Sequence, residues 1–391
     1  MKITFYKTLA LLVSLAALVS SCKEDPIPEE YKRGGNSLAL ADDGNLIMAG
    51  YNSTTSKGYD ATLILANQAN GDTIWMRSFG DTYSDSFYHV QKAHGGGFIA
   101  TGFSNRGASA SPAMFVVITD ANGNNVKTAR YSGSYYSQGF NVLPLANADS
   151  GYIIAGYIQN SANTDRDIYL VKISNAGEAQ WEKRIGSKSR VEYDSVNEAA
   201  YSIISAPDGG YFITGSLNGY SSCCGKIFLM KVSSTGDSLW TKKFNYGIGY
   251  SIIAAKNGGV VISGTFQEGI SQDIFLIKTD TAGNLLWKKT YGGTGYEYGA
   301  SMVETSDGGF AITGITDMKG SQDVYLIRTS STGDLQWSNT YGGSNVDQGF
   351  GLVAMPDNGF CISGLSNTDG SFFFLNRTTS EGAQSWVKKI Q

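Results

Sequence analysis

The feature that most constrains this chain is a spacing: each of its six tryptophans stands four residues after a glycine. The pairs are Gly71/Trp75, Gly177/Trp181, Gly236/Trp240, Gly283/Trp287, Gly333/Trp337 and Gly382/Trp386; a seventh copy starts at Gly123, with Lys127 in the tryptophan slot. A second motif recurs in the same units, a Gly/Asp turn followed by a short apolar run ending in glycine. Asp208-Gly209-Gly210-Tyr211-Phe212-Ile213-Thr214-Gly215 is one copy, and the run-ending glycines are Gly50, Gly102, Gly156, Gly215, Gly264, Gly314 and Gly364. A period of about 50 residues marks a repeat architecture, in which one unit cannot bury its apolar face without a neighbour.

Each unit reads as four strands. In the fourth they are Tyr201 to Ile204, Tyr211 to Thr214, Ile227 to Val232 and Leu239 to Lys243, with Asp208-Gly209-Gly210 and Ser234-Thr235-Gly236-Asp237 as hairpin turns. Second strands are apolar at consecutive positions (Val260-Val261-Ile262), so both faces are covered. Fourth strands mix in charge (Trp287-Lys288-Lys289-Thr290), which suits an outer edge because charge there discourages edge pairing. The fold expected is all-β: a seven-bladed β-propeller over residues 35–391, with four antiparallel strands per blade. An open repeat array or stacked solenoid is the alternative. The first unit opens on a first strand near Asn36 and the last closes on a fourth strand at Trp386, so no blade is expected to be shared between the termini. No helical periodicity follows residue 21.

The first 21 residues carry Lys2 and Lys7, an apolar run from Leu9 to Val19, and small residues before Cys22, the pattern of a secretory signal peptide. Val19-Ser20-Ser21-Cys22 resembles the bacterial lipobox, which implies cleavage before Cys22 and its lipidation. Residues 22–34 then read as a lipidated N-terminus and flexible tether, charged and proline-containing at Lys23-Glu24-Asp25-Pro26-Ile27-Pro28-Glu29-Glu30. That stretch resembles the acidic segment of surface-exported lipoproteins of the Bacteroidota. Losing residues 1–21 removes two lysines and no acid, which moves the net charge from −4 to about −6. Such a balance gives no electrostatic footprint for nucleic acid.

Asp280-Thr281-Ala282-Gly283-Asn284-Leu285-Leu286-Trp287 resembles the docking motif of quinoprotein-type propellers. The whole unit is similar to the Gly-Gly-Phe…Trp…Tyr-Gly-Gly repeats of secreted Bacteroidota propeller proteins, and that resemblance covers residues 35–391. It implies a fold and no activity.

Candidates for chemistry are few. His89 and His94 both lie at the junction of units one and two, and His94 takes a turn slot held elsewhere by Asp or Asn. No nucleophile or metal-ligand constellation assembles around either, so no metal and no cofactor are expected. Adjacent Cys223 and Cys224 are a possible vicinal disulfide, a feature that quinoprotein dehydrogenases also carry; the alternative is two loop thiols. Cys361 occupies an apolar strand slot and reads as a small buried hydrophobe. Asp85, Glu192, Asp194, Glu297 and Asp347 are placed in inter-blade loops, where solvation and turn capping account for them, although a hydrolytic carboxylate pair would come from the same set.

In a four-stranded meander the first-to-second and third-to-fourth turns lie at one end of the barrel, and here they are short and uniform. Second-to-third and inter-blade loops lie at the other end and vary, so recognition is assigned there. Tyr88, Phe140, Tyr201, Tyr250 and Phe350 share a slot in each first strand and are assigned to blade packing. The remaining loop tyrosines, Tyr83, Tyr135, Tyr136, Tyr193, Tyr246 and Tyr296, with Asp85, Asp194 and Glu297 beside them, form the candidate ligand site around the channel mouth. The leading reading is a non-enzymatic binding propeller, anchored in the outer membrane through lipid on Cys22, with a glycan or an envelope protein as ligand. The second is a scaffold in envelope assembly, by analogy with the propeller lipoprotein of the proteobacterial outer-membrane assembly machine. A hydrolase or a quinoprotein-like oxidoreductase is the third.

Overall fold

The computed structural model describes residues 33–391, apart from 56–57, 106, 108–110, 133–134, 147–150, 160–165, 187–196, 218–224, 269–270, 294, 368–369 and 371. Among the described residues there are 27 strands, β1 to β27, and no helix. They form five four-stranded antiparallel sheets and one seven-stranded sheet. In the first sheet β1 (Arg33–Leu40), β2 (Leu46–Thr55), β3 (Gly58–Ala66) and β4 (Thr73–Phe79) pair in chain order, each with the next. The last sheet likewise holds only the final four strands, β24 (Asp347–Ala354) to β27 (Gln384–Ile390).

The seven-stranded sheet departs from the sequence reading. A fourth strand and the next first strand, expected as separate elements, are one strand here, β16 (Ser238–Ala254). Its early part pairs with the third strand Lys226–Val232 and its later part with Val260–Glu268. The linking segment, Asn245-Tyr246-Gly247, stays extended because Tyr246 pairs with Lys226 and Gly247 with Phe266.

Apolar residues collect between successive sheets. Second strands such as Phe310–Thr316 are buried at every position, whereas fourth strands such as Thr73–Phe79 have no buried one. Among the described residues seven buried clusters result. One of them joins Leu46, Met48 and Ile64 of the first sheet to Cys361, Phe373 and Leu375 of the last, so the ring closes by packing of the two end sheets. This is a β-propeller.

The Gly-x-x-x-Trp repeat is the outer fastening of that ring. Each fourth-strand tryptophan lies against the turn glycine of the following repeat: Trp75 against Gly123, Trp181 against Gly236, Trp240 against Gly283, Trp287 against Gly333, Trp337 against Gly382. Trp386 reaches round to Gly71, and Lys127 does the same duty at Gly177. Only glycine fits, because these turns sit at φ near +75° to +80° and a Cβ would come within about 2.8 Å of the indole. Tyrosines at the ends of three fourth strands add a bond across the same junctions, Tyr131, Tyr291 and Tyr341 donating to the carbonyls of Gly177, Gly333 and Gly382 at 2.5–2.8 Å.

Candidate functional site

Strand-ending glycines have a cause that reaches the centre of the molecule. Every first strand carries a bulge: Gly35 pairs with Gly50 and Ser37 with Ala49, which leaves Asn36 extra. The same irregularity singles out Tyr88, Phe140, Tyr201, Tyr250, Ala300 and Phe350. A bulge brings the first-strand backbone inward, and the opposing second-strand residue must make room. A Cβ at Gly50, Gly156 or Gly314 would sit 1.8 Å from the carbonyl oxygen of Gly34, Gln138 or Tyr298.

The extra residues project into the central channel. Asn36, Tyr88, Phe140, Tyr201, Tyr250, Ala300 and Phe350 all line a cavity of about 530 Å³. The blade-packing assignment of the five aromatics is therefore corrected: they form the channel wall. Tyr88 and Phe140 have ring centroids 5.2 Å apart, Phe140 and Tyr201 4.6 Å, and Tyr201 and Tyr250 5.1 Å. Beside the small Ala300, Tyr298 packs on Tyr250 at 4.7 Å and continues the arc. Four consecutive rings, Tyr88 to Tyr250, thus cover one side of the channel, backed by Tyr298.

The next residue along each first strand is mostly small and polar: Ser37, His89, Asn141, Ser202, Ser251 and Ser301. Several of these side chains bind one repeat to the next. Ser37 Oγ accepts from the backbone N–H of Val90, and Ser202 Oγ from that of Ile252, both at 3.3 Å. His89 uses Nδ1 identically, accepting from the Val142 N–H at 3.2 Å. Its proton is therefore on Nε2. Burial in the channel wall lowers the imidazole from its ordinary 6.5 to about 4, so His89 is neutral at physiological pH. His94 is a turn residue, its N–H donating to the Tyr152 hydroxyl at 2.8 Å.

Among the described residues the loop tyrosines Tyr83, Tyr135, Tyr136, Tyr246 and Tyr296 do not line this cavity. Tyr83 (36 % exposed), Tyr246 (52 %) and Tyr296 (40 %) stand in connections from a fourth strand to the next first strand, all at one end of the ring. Lys226 lies over the Tyr246 ring at 5.6 Å, and the Tyr296 N–H donates to Asp317 Oδ1 at 2.7 Å. Tyr135 packs against the core beneath the Arg184 guanidinium, 4.3 Å from the ring centre. Tyr136 stacks on Tyr157, and its hydroxyl accepts from Gln138 Nε2. Tyr193, Asp194 and Glu192 lie outside the described residues, as do Cys22, Cys223 and Cys224.

The acidic candidates sit deeper than a loop position implies. Asp85 and Glu297 are the first residues of their strands and are both 0 % exposed; Asp347 holds the same place in β24. Asp85 Oδ2 accepts from the Asp81 N–H, and burial raises the carboxyl to about 6. Glu297 accepts from the Gly293 N–H and the Thr316 hydroxyl, and burial raises it too. Asp273 and Glu297 flank Gly292 as Asp323 and Asp347 flank Gly342. A pairing that recurs in successive sheets is part of the frame. Among the described residues no group of three or more His, Cys, Asp or Glu is placed to hold a metal ion. Cys361 is buried between the last and first sheets, its thiol pushed up to about 12 by that burial.

No family model and no curated protein matches the chain. Solved structures do share its architecture. Sqt1 from Saccharomyces cerevisiae aligns with a TM-score of 0.53 and 10 % identity over 92 % of this chain and 86 % of its own. BBS1N in complex with ARL6 aligns at 0.50 and 10 % identity, over 94 % and 95 % of the two chains. A puromycin hydrolase aligns at 0.50 and 12 % identity, over 76 % of this chain and 46 % of that enzyme. At such identities the likeness is to the fold alone, a fold shared with the Dos1 propeller.

Proposed function

We propose that the chain is a non-enzymatic binding propeller that recognises a glycan or an envelope protein through its loop-bearing end. In this reading residues 1–21 are a signal peptide, Cys22 carries lipid that anchors the chain in the outer membrane, 22–34 are a tether and 35–391 the propeller. The long strand β16 serves two blades, which makes seven. One observation carries the functional part: Tyr83, Tyr246 and Tyr296 are large and solvent-facing, while the acids beside Tyr83 and Tyr296 are sequestered. Tyrosine presents rigid amphipathic area at low entropic cost, as recognition surfaces require. BBS1N bound to ARL6 is an instance of this architecture with a protein partner.

The test is a pull-down from envelope extracts, alongside a glycan array, with wild type and the Tyr83→Ala/Tyr246→Ala/Tyr296→Ala variant. True contacts cost more than about 1 kcal/mol of binding each when truncated. Loss of the captured ligand at an unchanged melting temperature is expected. Full retention of every ligand would refute the loop-face assignment. Cys22→Ala is expected to release the chain from the membrane fraction, and its retention there would refute the anchor.

A further inference from the structure

We propose that the central cavity is a second binding site, for an uncharged sugar of about disaccharide size. Three observations converge on that chemistry. The cavity of about 530 Å³ falls within the range of small-ligand pockets, roughly 300–1,000 Å³. Among the described residues no Asp, Glu, Lys or Arg lines it, and the histidine that does, His89, is held neutral, so nothing in the described wall compensates a ligand charge. Burying a charge there without a partner is costly. The wall is also two-natured: aromatic rings at one level, from Tyr88 round to Tyr250, and hydroxyl, amide and imidazole groups at the next, with Asn141, Ser251, Ser301 and His89 Nε2–H among them. A sugar ring has the same two natures, an apolar C–H face that stacks on an aromatic and a rim of neutral hydroxyls that both donate and accept. A purely apolar ligand leaves the polar level unmatched, and an anionic one leaves its charge unmatched.

The aromatic cover is uneven. Asn36 and Ala300 break it on either side of Phe350, and Asn36 is tied down, its Nδ2 donating to the Phe87 carbonyl at 2.7 Å. A structural collar in a ring of repeats has no reason to be uneven, whereas a ligand that stacks on part of the wall does.

This site is separate from the loop-face reading and stands if that reading fails. The experiment is titration calorimetry on the intact mature chain at pH 7 with cellobiose, maltose, lactose and trehalose, and with a uronic-acid disaccharide as the charged counterpart. At least one neutral disaccharide is expected to bind and the charged one not to. Tyr250→Ala should weaken that binding at least tenfold. Since Tyr250→Ala can disturb the fold, Ser301→His is the second variant: the same slot already carries His89, so melting should be unchanged while the filled cavity binds at least tenfold more weakly. The loop variant Tyr83→Ala/Tyr246→Ala/Tyr296→Ala should leave this affinity untouched. No heat from any neutral sugar at millimolar concentration, preference for the charged sugar, or full affinity in Ser301→His would each overturn the proposal.

Discussion

The outer fastening of the ring and its inner wall are built from the same repeat, yet they treat it differently. At the outer junctions described, six tryptophans and one lysine meet a turn glycine, with little variation from sheet to sheet. On the inner wall the equivalent bulge slot holds Asn36, Tyr88, Phe140, Tyr201, Tyr250, Ala300 and Phe350 in turn. Uniformity is what a closed ring demands at each joint, since one poor junction opens it. Variation at the bulge is tolerated because the side chain there lines the channel and meets its neighbours only along one side. The difference teaches where to look for selection by something other than folding.

The largest effect should come from breaking a joint. Gly283 sits at φ +78°, and a Cβ there would lie 2.7 Å from two atoms of the Trp240 ring. Gly283→Ala adds left-handed backbone strain of about 1–2 kcal/mol to that collision. A loss of about 3 kcal/mol in urea denaturation is expected. A loss below about 1 kcal/mol would mean the tryptophan yields freely and the joint is not what holds sheets in place.

Much of the outer ring was legible in the sequence, because glycine-before-tryptophan at a fixed offset is a covalent record of a sheet-to-sheet contact. The inner wall was less so. Repetition marks scaffold, and by that rule Tyr88, Phe140, Tyr201, Tyr250 and Phe350 were set aside. The rule failed because a bulge puts a repeated residue into the channel. A signal for it exists: glycine precedes the extra residue at Gly35, Gly139, Gly249, Gly299 and Gly349, and glycine inside a strand is a bulge marker. The carboxylates misled for a different reason. Asp85 and Glu297 read as loop acids by composition, and only the pairing with Ser104 and Thr316 places them inside a sheet.

A middle-sized effect should appear on the inner wall, as a pH dependence. The folded-state pKa of His89 is about 4, below the ordinary 6.5, so the unfolded chain binds more protons between those values. Stability from this group is complete above about pH 6.5 and is lost as the pH falls through 4. Protonation of Nδ1 also ends its bond from the Val142 N–H. His89→Ser, which keeps an acceptor in a slot where Ser37 and Ser202 already serve, should hold about 2 kcal/mol more stability than wild type at pH 4 than it does at pH 7. Asp85 acts with opposite sign: its pKa is raised to about 6, so its contribution is present at low pH and fades as pH rises through 6. It is common to both proteins and cancels in the difference. Parallel stability–pH curves for His89→Ser and wild type would show that the imidazole is solvated rather than held neutral.

The smallest effect tests whether the odd joint is a weak one. At the junction of the second and third sheets Lys127 replaces tryptophan, its aliphatic stem 2.8 Å from a Cβ placed at Gly177 and its ammonium 2.5 Å from Glu178. That ion pair is exposed on both sides and contributes between nothing and about 1 kcal/mol. An indole in the same slot would cover Gly177 as Trp181 covers Gly236, and burying some tens of Å² of apolar surface at about 25 cal/mol per Å² stabilises by roughly 1 kcal/mol. The two terms nearly offset at low salt. At high salt the ion pair is screened and the indole is not, so Lys127→Trp should be close to neutral in dilute buffer and about 1 kcal/mol more stable than wild type in 1 M NaCl. A variant destabilised at both ionic strengths would show that the second and third sheets are spaced for lysine, and that the ring carries one joint of a different kind.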